Sequence, residues 1–183
     1  PDTITSEGID FAIRGREKGA DNAVECRGQQ ITLPAGDYDR IYLLAAAEEE
    51  AAGRFEVDGA EQWLDIAKWK GFVGQHYAQT IVPDSTAYKT LAVDNPYLRK
   101  DPIAWFASHC HAPKRNIAYQ YCYLYKYGLD IVPGAKTLTL PDNPCIKIVA
   151  VTVAKEGVRT VPLTPLYDDF DDYPVFRWRN RPK

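Results

Sequence analysis

The sequence predicts an all-β protein, a two-sheet sandwich of jelly-roll type with little helix. Three observations carry that expectation. About eight to ten short runs either alternate apolar and polar residues or are rich in β-branched and aromatic residues, as strands are. Turn chemistry built on Pro, Gly, Asp and Asn separates these runs at the spacing found in sandwiches. Only Ala45 to Gly53 (AAAEEEAAG) has strong helix propensity, and it is short.

Each element follows from its residues. Residues 1–8 (PDTITSEG) are polar and are expected to form an arm or linker remnant. Ile9 to Ile13 alternates as a half-buried strand does. Gly15 to Asn22 is a charged, glycine-punctuated loop. Gln30 to Leu33 is a short strand, and Pro34-Ala35-Gly36-Asp37 turns the chain, with Pro presetting φ. Arg40 to Ala46 is almost continuously apolar, as in a strand covered on both faces. Ala45 to Gly53 is expected to be a loop or single helical turn, stopped by Gly53. Arg54 to Val57 is a strand, and Asp58-Gly59 is a hairpin signal. Glu61 to Trp69 alternates again, and Val82 to Lys100, with two prolines, reads as a long loop. Ile103 to His109 is a strand, His111 to Asn116 a turn, and Tyr119 to Tyr127 a strand with five tyrosines on one face. Most of that stripe is expected in the core, with Tyr119 the exception, and Trp105 is expected in the core too. Lys136 to Leu140 and the β-branched run Cys145 to Ala154 complete the set, the latter expected as a central strand. The sandwich is therefore expected over 9–160, followed by a Pro/Asp-rich and basic tail over 161–183.

Composition sets outer limits. The 183 residues carry 25 acidic and 22 basic side chains, a formal net charge of −3, with 45% hydrophobic and 26% charged residues. That is globular usage, and the length suits one domain with a sizeable core. The balanced charge lacks the footprint of a nucleic-acid binder, so no such partner is expected. No apolar run approaches the roughly 20 residues that span a bilayer, and no membrane partner is expected. The chain has no Met, which suggests a processed product or a piece of a longer protein. The four cysteines, Cys26, Cys110, Cys122 and Cys145, are too widely spaced for a zinc ribbon. They can form two disulfides or remain buried thiols.

Few residues carry recognisable chemistry. His109 and His111 share a strand face, and two imidazoles there can ligate a metal. A third histidine would have to be His76, and no Glu follows until Glu156, so a binding or structural role outweighs a metal site. Asp168, Asp169, Asp171 and Asp172 resemble a calcium-binding set only in charge, and a solvated acidic run explains them better. No cofactor is expected, although a structural calcium in a loop would suit such a fold. No nucleophile elbow, phosphate loop or identifiable carboxylate pair is present, so no catalytic residue is assigned. Trp69, within Lys68-Trp69-Lys70-Gly71, is the aromatic most suited to face a ligand.

Two blocks, GIDFAI…GADNAVECRGQQITLPAGDYDRIYLLAAA and WFASHCHAPKRNIAYQYCYLYKYGLDIVPGAKTLTLPDNPCIKIVAVTVA, with WKGFVGQ between them, resemble the C-terminal β-rich region of bacterial glycoside hydrolase family 38 α-mannosidases. The resemblance spans roughly residues 8–154. It implies an accessory β-sandwich, galactose-binding-like or similar to a carbohydrate-binding module, without the catalytic zinc domain. Trp69, Gly71, Gln75, His109, His111, Asn116 and Tyr119 match positions in those blocks. The chain departs from them at His76-Tyr77, where a Trp-Asp pair is usual, and at Cys110 and Cys145, where Arg is common.

The expected function is non-catalytic glycan or polysaccharide binding beside a neighbouring catalytic domain of a parent chain. The expected ligand residues are Trp69, Gln75, His76, Tyr77, His109, His111, Asn116 and Tyr119, by aromatic stacking on sugar C–H faces and polar contacts to hydroxyls. A polysaccharide-facing role implies a secreted or periplasmic setting. Two further readings stand beside it: a structural domain packing on its parent enzyme, or a small all-β glycosidase or lyase using His109, His111 and a nearby acid or Tyr119.

Overall fold

The computed structural model describes residues 3–15, 17, 20–70, 74–75, 79–83, 88–93, 97–98, 101–112 and 115–156. Among the described residues there are fifteen strands and no helix. In chain order they are β1 (Thr3–Ser6), β2 (Ile9–Ala12), β3 (Val24–Glu25), β4 (Gln30–Thr32), β5 (Arg40–Ala47), β6 (Ala51–Val57), β7 (Ala60–Ile66), β8 (Gly74–Gln75), β9 (Gln79–Pro83), β10 (Tyr88–Val93), β11 (Tyr97–Leu98), β12 (Ile103–Ala112), β13 (Arg115–Asp130), β14 (Thr137–Thr139) and β15 (Ile146–Ala154). The chain divides into two compact units, residues 1–71 with 101–159, and residues 72–100 with 160–183.

The first unit holds a five-stranded sheet in the order β12-β13-β5-β15-β3 and a four-stranded sheet in the order β4-β14-β6-β7. The chain alternates between them, β3 to β4 to β5 to β6, and again β13 to β14 to β15, which is the jelly-roll habit. All ladders in both sheets are antiparallel. The fold is thus an all-β sandwich.

β5 is covered on both faces, as its apolar run implies: seven of its eight residues are buried. Ile41, Leu43 and Ala45 share the inner face with their ladder partners Leu129, Tyr127 and Tyr125, all buried. Tyr42 and Leu44 point the other way, where Phe11, Ile4, Ile9 and Ile13 cover them. That cover is the β1–β2 hairpin, turned by Glu7 (φ 49°) and Gly8 (φ 80°). The stretch expected to be an arm therefore contains a strand: the Glu-Gly pair supplies the two positive φ angles of a tight hairpin. Thr152 donates to the Asp10 carbonyl at 2.8 Å, and Lys126 pairs with Glu7, fastening the hairpin to the sheet.

Other expectations resolve locally. Asp58 (φ 46°) and Gly59 (φ 90°) turn the β6–β7 hairpin as their residue types require. Gly53 lies inside β6 rather than ending a helical turn. A Cβ there would come 2.8 Å from Ile146 Cδ1 and 2.9 Å from Pro141 Cγ, so glycine permits the close approach of the two sheets. β12 continues through His111, and the β12–β13 turn is tighter than expected, with His111 opposite Asn116. β15 is interior, between β5 and β3, while β5 is the central strand. Trp105 is not in the core: β12 is an edge strand, and the indole is 39% exposed opposite Leu124.

Of the second unit the structure describes β8 to β11. β8 pairs with β11, and β9 with β10, the latter ladder slipping between Thr90 and Ala92. The long loop expected over Val82 to Lys100 is thus broken by β10 and β11 and by the end of β9. Pro83 occupies the last position of β9, where a missing N–H interrupts no continuing ladder.

Candidate functional site

The most ligand-like surface lies where β5 and β13 part. Their ladder runs from Arg40↔Asp130 to Ala45↔Tyr125 and stops. Ala67 to Lys70, arriving from β7, enters the gap as a wedge. The Ala47 amide donates to the Ala67 carbonyl (2.9 Å), the Trp69 amide to the Ala47 carbonyl (2.8 Å), and the Tyr123 amide to the Trp69 carbonyl (2.6 Å). Lys70 bridges to Cys122. The tyrosine stripe holds the same wedge from the inner face. The Tyr127 hydroxyl accepts from the Ala67 amide at 2.8 Å, and the Tyr125 hydroxyl donates to the Lys68 carbonyl at 3.3 Å. Burial pushes the Tyr127 phenol well above its usual range, so it stays a neutral hydroxyl. Tyr123, Tyr125 and Tyr127 are buried, as expected for most of the stripe.

Held on both edges, Trp69 has little backbone freedom, yet its side chain is 36% exposed. Lys70 Nζ lies 5.4 Å from the indole centroid, within cation–π range. The ring borders an open cleft of about 540 Å³ whose other walls include Glu48, Glu49, Leu124, Lys147 and Val149. Glu48 is fixed by its amide, which donates to the Cys145 carbonyl at 2.9 Å. Lys147 pairs with Glu25 at 2.7 Å and Glu48 at 3.2 Å. The Lys147–Glu25 hydrogen bond is the main cause that raises the Lys147 pKa and lowers that of Glu25, so both stay charged across neutral pH. An aromatic face framed by fixed charges and apolar side chains can stack on a flat apolar ligand surface and hydrogen-bond its polar rim.

A second cleft, of about 690 Å³, differs in kind. Its walls include Arg40, Asp58, Gln62, Asp130 and Glu156, and those groups bind one another or the backbone. Arg40 pairs with Asp130, and its Nε lies 3.9 Å from Glu156. Gln62 donates to the Asp130 carbonyl (2.6 Å) and accepts from its amide (3.0 Å), joining β7 to β13. The Asp58 carboxylate accepts from the Lys136 and Thr137 amides, both at 2.9 Å. Tyr42 donates to Glu156, and burial first, then this carboxylate, raises the phenol's pKa. This cleft is a latch between the sheets.

The expected ligand residues do not form one cluster among the described residues. Trp69 lines the first cleft. His109 and His111 stand edge to face on β12, centroids 4.9 Å apart, and His111 Nδ1 meets Asn116 Oδ1 at 2.7 Å. These three sit near the β12–β13 turn and line neither cleft. Gln75 lies in β8, and Tyr119 in β13, but their side chains fall outside the description; His76 and Tyr77 lie outside the described residues, as do Asp168 to Asp172. Among the described residues no three His, Cys, Asp or Glu side chains gather as metal ligands. Sequence reading missed Glu48, Glu49, Lys70 and Lys147 at the cleft. The acidic run 48–50 was the available signal, but its place opposite Trp69 depends on the wedge.

Fold and site together define a β-sandwich domain with a shallow, aromatic-faced surface cleft. The chain matches the family described as AziU2-like beta-sandwich domain over residues 1–157, and it belongs to that family. The match agrees with the β-sandwich part of the α-mannosidase resemblance and is silent on the mannosidase link. No curated protein matches the chain.

Proposed function

We propose that this protein is a non-catalytic binding module whose ligand is a glycan, with Trp69 as the stacking platform. One observation carries the reading: Trp69 is locked by backbone bonds on both edges while its ring stays open to a cleft. Preorganisation of this kind lowers the ordering cost of binding. Lys70, Glu48 and Glu49 supply polar groups to the same cleft. The α-mannosidase resemblance makes mannans the first ligands to try and supports a neighbouring catalytic domain as partner, in a secreted or periplasmic setting. Attachment to such a domain strengthens weak binding through effective concentration.

The test is affinity electrophoresis of the whole chain in gels containing mannan or α-glucan, with and without chelator. Retardation by a glycan, abolished by Trp69→Ala, supports the reading. Unretarded migration in every gel, or release of cleavage products, overturns it. One observation favours a second reading, a structural domain docked on its parent enzyme. Phe106 is 63% and Trp63 66% exposed on edge strands β12 and β7, away from the Trp69 cleft lining.

A further inference from the structure

The β12–β13 ladder contains a break with a chemical consequence. Ala107 faces Cys122 and His109 faces Ala118, so residue 108 of β12 is matched by residues 119–121 of β13. Cys110 has Ile117, not Cys122, as its ladder partner. The extra residues nevertheless fold back so that the Cys110 and Cys122 sulfurs lie 2.9 Å apart. Both thiols point at one acceptor, the Gln120 carbonyl, at 3.5 and 3.6 Å. Cys122 is buried and Cys110 half-buried, so Cys110 is the more accessible of the two. The other two cysteines lie elsewhere: Cys26 is buried beside β15, its amide on the Ile146 carbonyl, and Cys145 precedes β15.

We propose that Cys110 and Cys122 form an intrachain disulfide, and that a small-molecule disulfide is the co-substrate that installs it. The sulfurs at 2.9 Å are already close to the covalent S–S distance of about 2.0 Å. The Cys110 thiolate attacks one sulfur of the reagent disulfide, whose S–S bond breaks. The departing thiolate takes up a proton and leaves as a free thiol. Cys122 then loses its proton, and its sulfur attacks Cys110 Sγ in the mixed disulfide, expelling the second half of the reagent as another thiol. Two protein thiols are oxidised and one reagent disulfide is reduced. Burial, with the Cys110 contact second, pushes the Cys122 pKa up to about 12, so formation is slow at neutral pH and quickens as pH rises. The bond ties edge strand β12 to β13 where their ladder is interrupted. It also adjoins the wedge, since Lys70 bridges to Cys122. The assignment stands whatever the Trp69 cleft binds.

The test uses the folded full-length chain, incubated with oxidised glutathione at about pH 8.5, near the ordinary thiol pKa, then alkylated and digested with trypsin without reductant. Cleavage after Lys114 and Arg115 separates the two cysteines, so the bond joins peptide 101–114 to peptide 116–126. The expected result is that joined pair, dispersed by dithiothreitol and absent from Cys110→Ser. Alkylation of both Cys110 and Cys122 after the incubation would overturn the assignment. So would a persistent glutathione adduct on Cys110, or a bond from either residue to Cys26 or Cys145.

Discussion

The two clefts of the sandwich unit are similar in size and opposite in chemistry. In the larger, Arg40, Gln62, Asp58, Asp130 and Glu156 use their polar atoms on one another and on the backbone. In the smaller, backbone bonds surround Trp69 and leave its ring exposed. Volume therefore does not distinguish a seam from a site. The disposition of polar groups does, because a buried group already paired gains little from a ligand.

Four perturbations sharpen or break that contrast. Trp69→Ala is expected to weaken glycan binding by on the order of tenfold or more, as loss of an anchoring aromatic does, while the urea midpoint moves little. A large midpoint shift would make Trp69 a core residue and end the contrast. Arg40→Ala is expected to do the reverse. Loss of the charge-assisted bond to Asp130 and of the nearby Glu156 charge should cost about 2 kcal/mol of stability in urea titration, with glycan affinity unchanged. Tyr127→Phe keeps the ring but strands the buried Ala67 amide, at a cost of about 1 kcal/mol. Because that amide anchors the wedge, affinity should also fall, measured in the same gels. If stability falls and affinity holds, the wedge does not preorganise Trp69.

The smallest effect concerns Lys147 and Glu25. The Glu25 pKa is lowered chiefly by Lys147, so its contribution is present above its ordinary value of 4.5 and is lost as pH falls through the lower, folded value. The Lys147 pKa is raised chiefly by Glu25, so its contribution is present below 10.5 and is lost as pH rises through the higher, folded value. Both groups are half-buried at the surface, and salt screens the pair. Thermal melts of Lys147→Met should therefore show a slightly weaker acid-side decline than the parent in low salt and none of that difference in high salt.

Legibility in the sequence followed range. The Asp58-Gly59 hairpin, the doubly covered β5 and the buried tyrosines were readable because each rests on residues adjacent in the chain or on a period of two. β1 was missed because the turn signal Glu7-Gly8 is weaker than Asp-Gly and the flanking TITS is polar. Trp105 was misplaced because an apolar strand reads alike at a sheet edge and at its centre. Trp69 was singled out by its flanking lysines, and His109, His111 and Asn116 were grouped with it by the family resemblance and by their place near one turn, neither of which carries the distance between strands.

By itself, then, the sequence determined an all-β chain with strands of known period, tight turns at specified residues and a sandwich's alternation, since φ preferences and side-chain alternation are local physics. Only the tertiary structure decided which strand lies at an edge, that Ala67 to Lys70 wedges between β5 and β13, and that Cys110 meets Cys122 across a slipped ladder. Those outcomes depend on register between strands distant in sequence, and one shifted residue reverses every side chain beyond it.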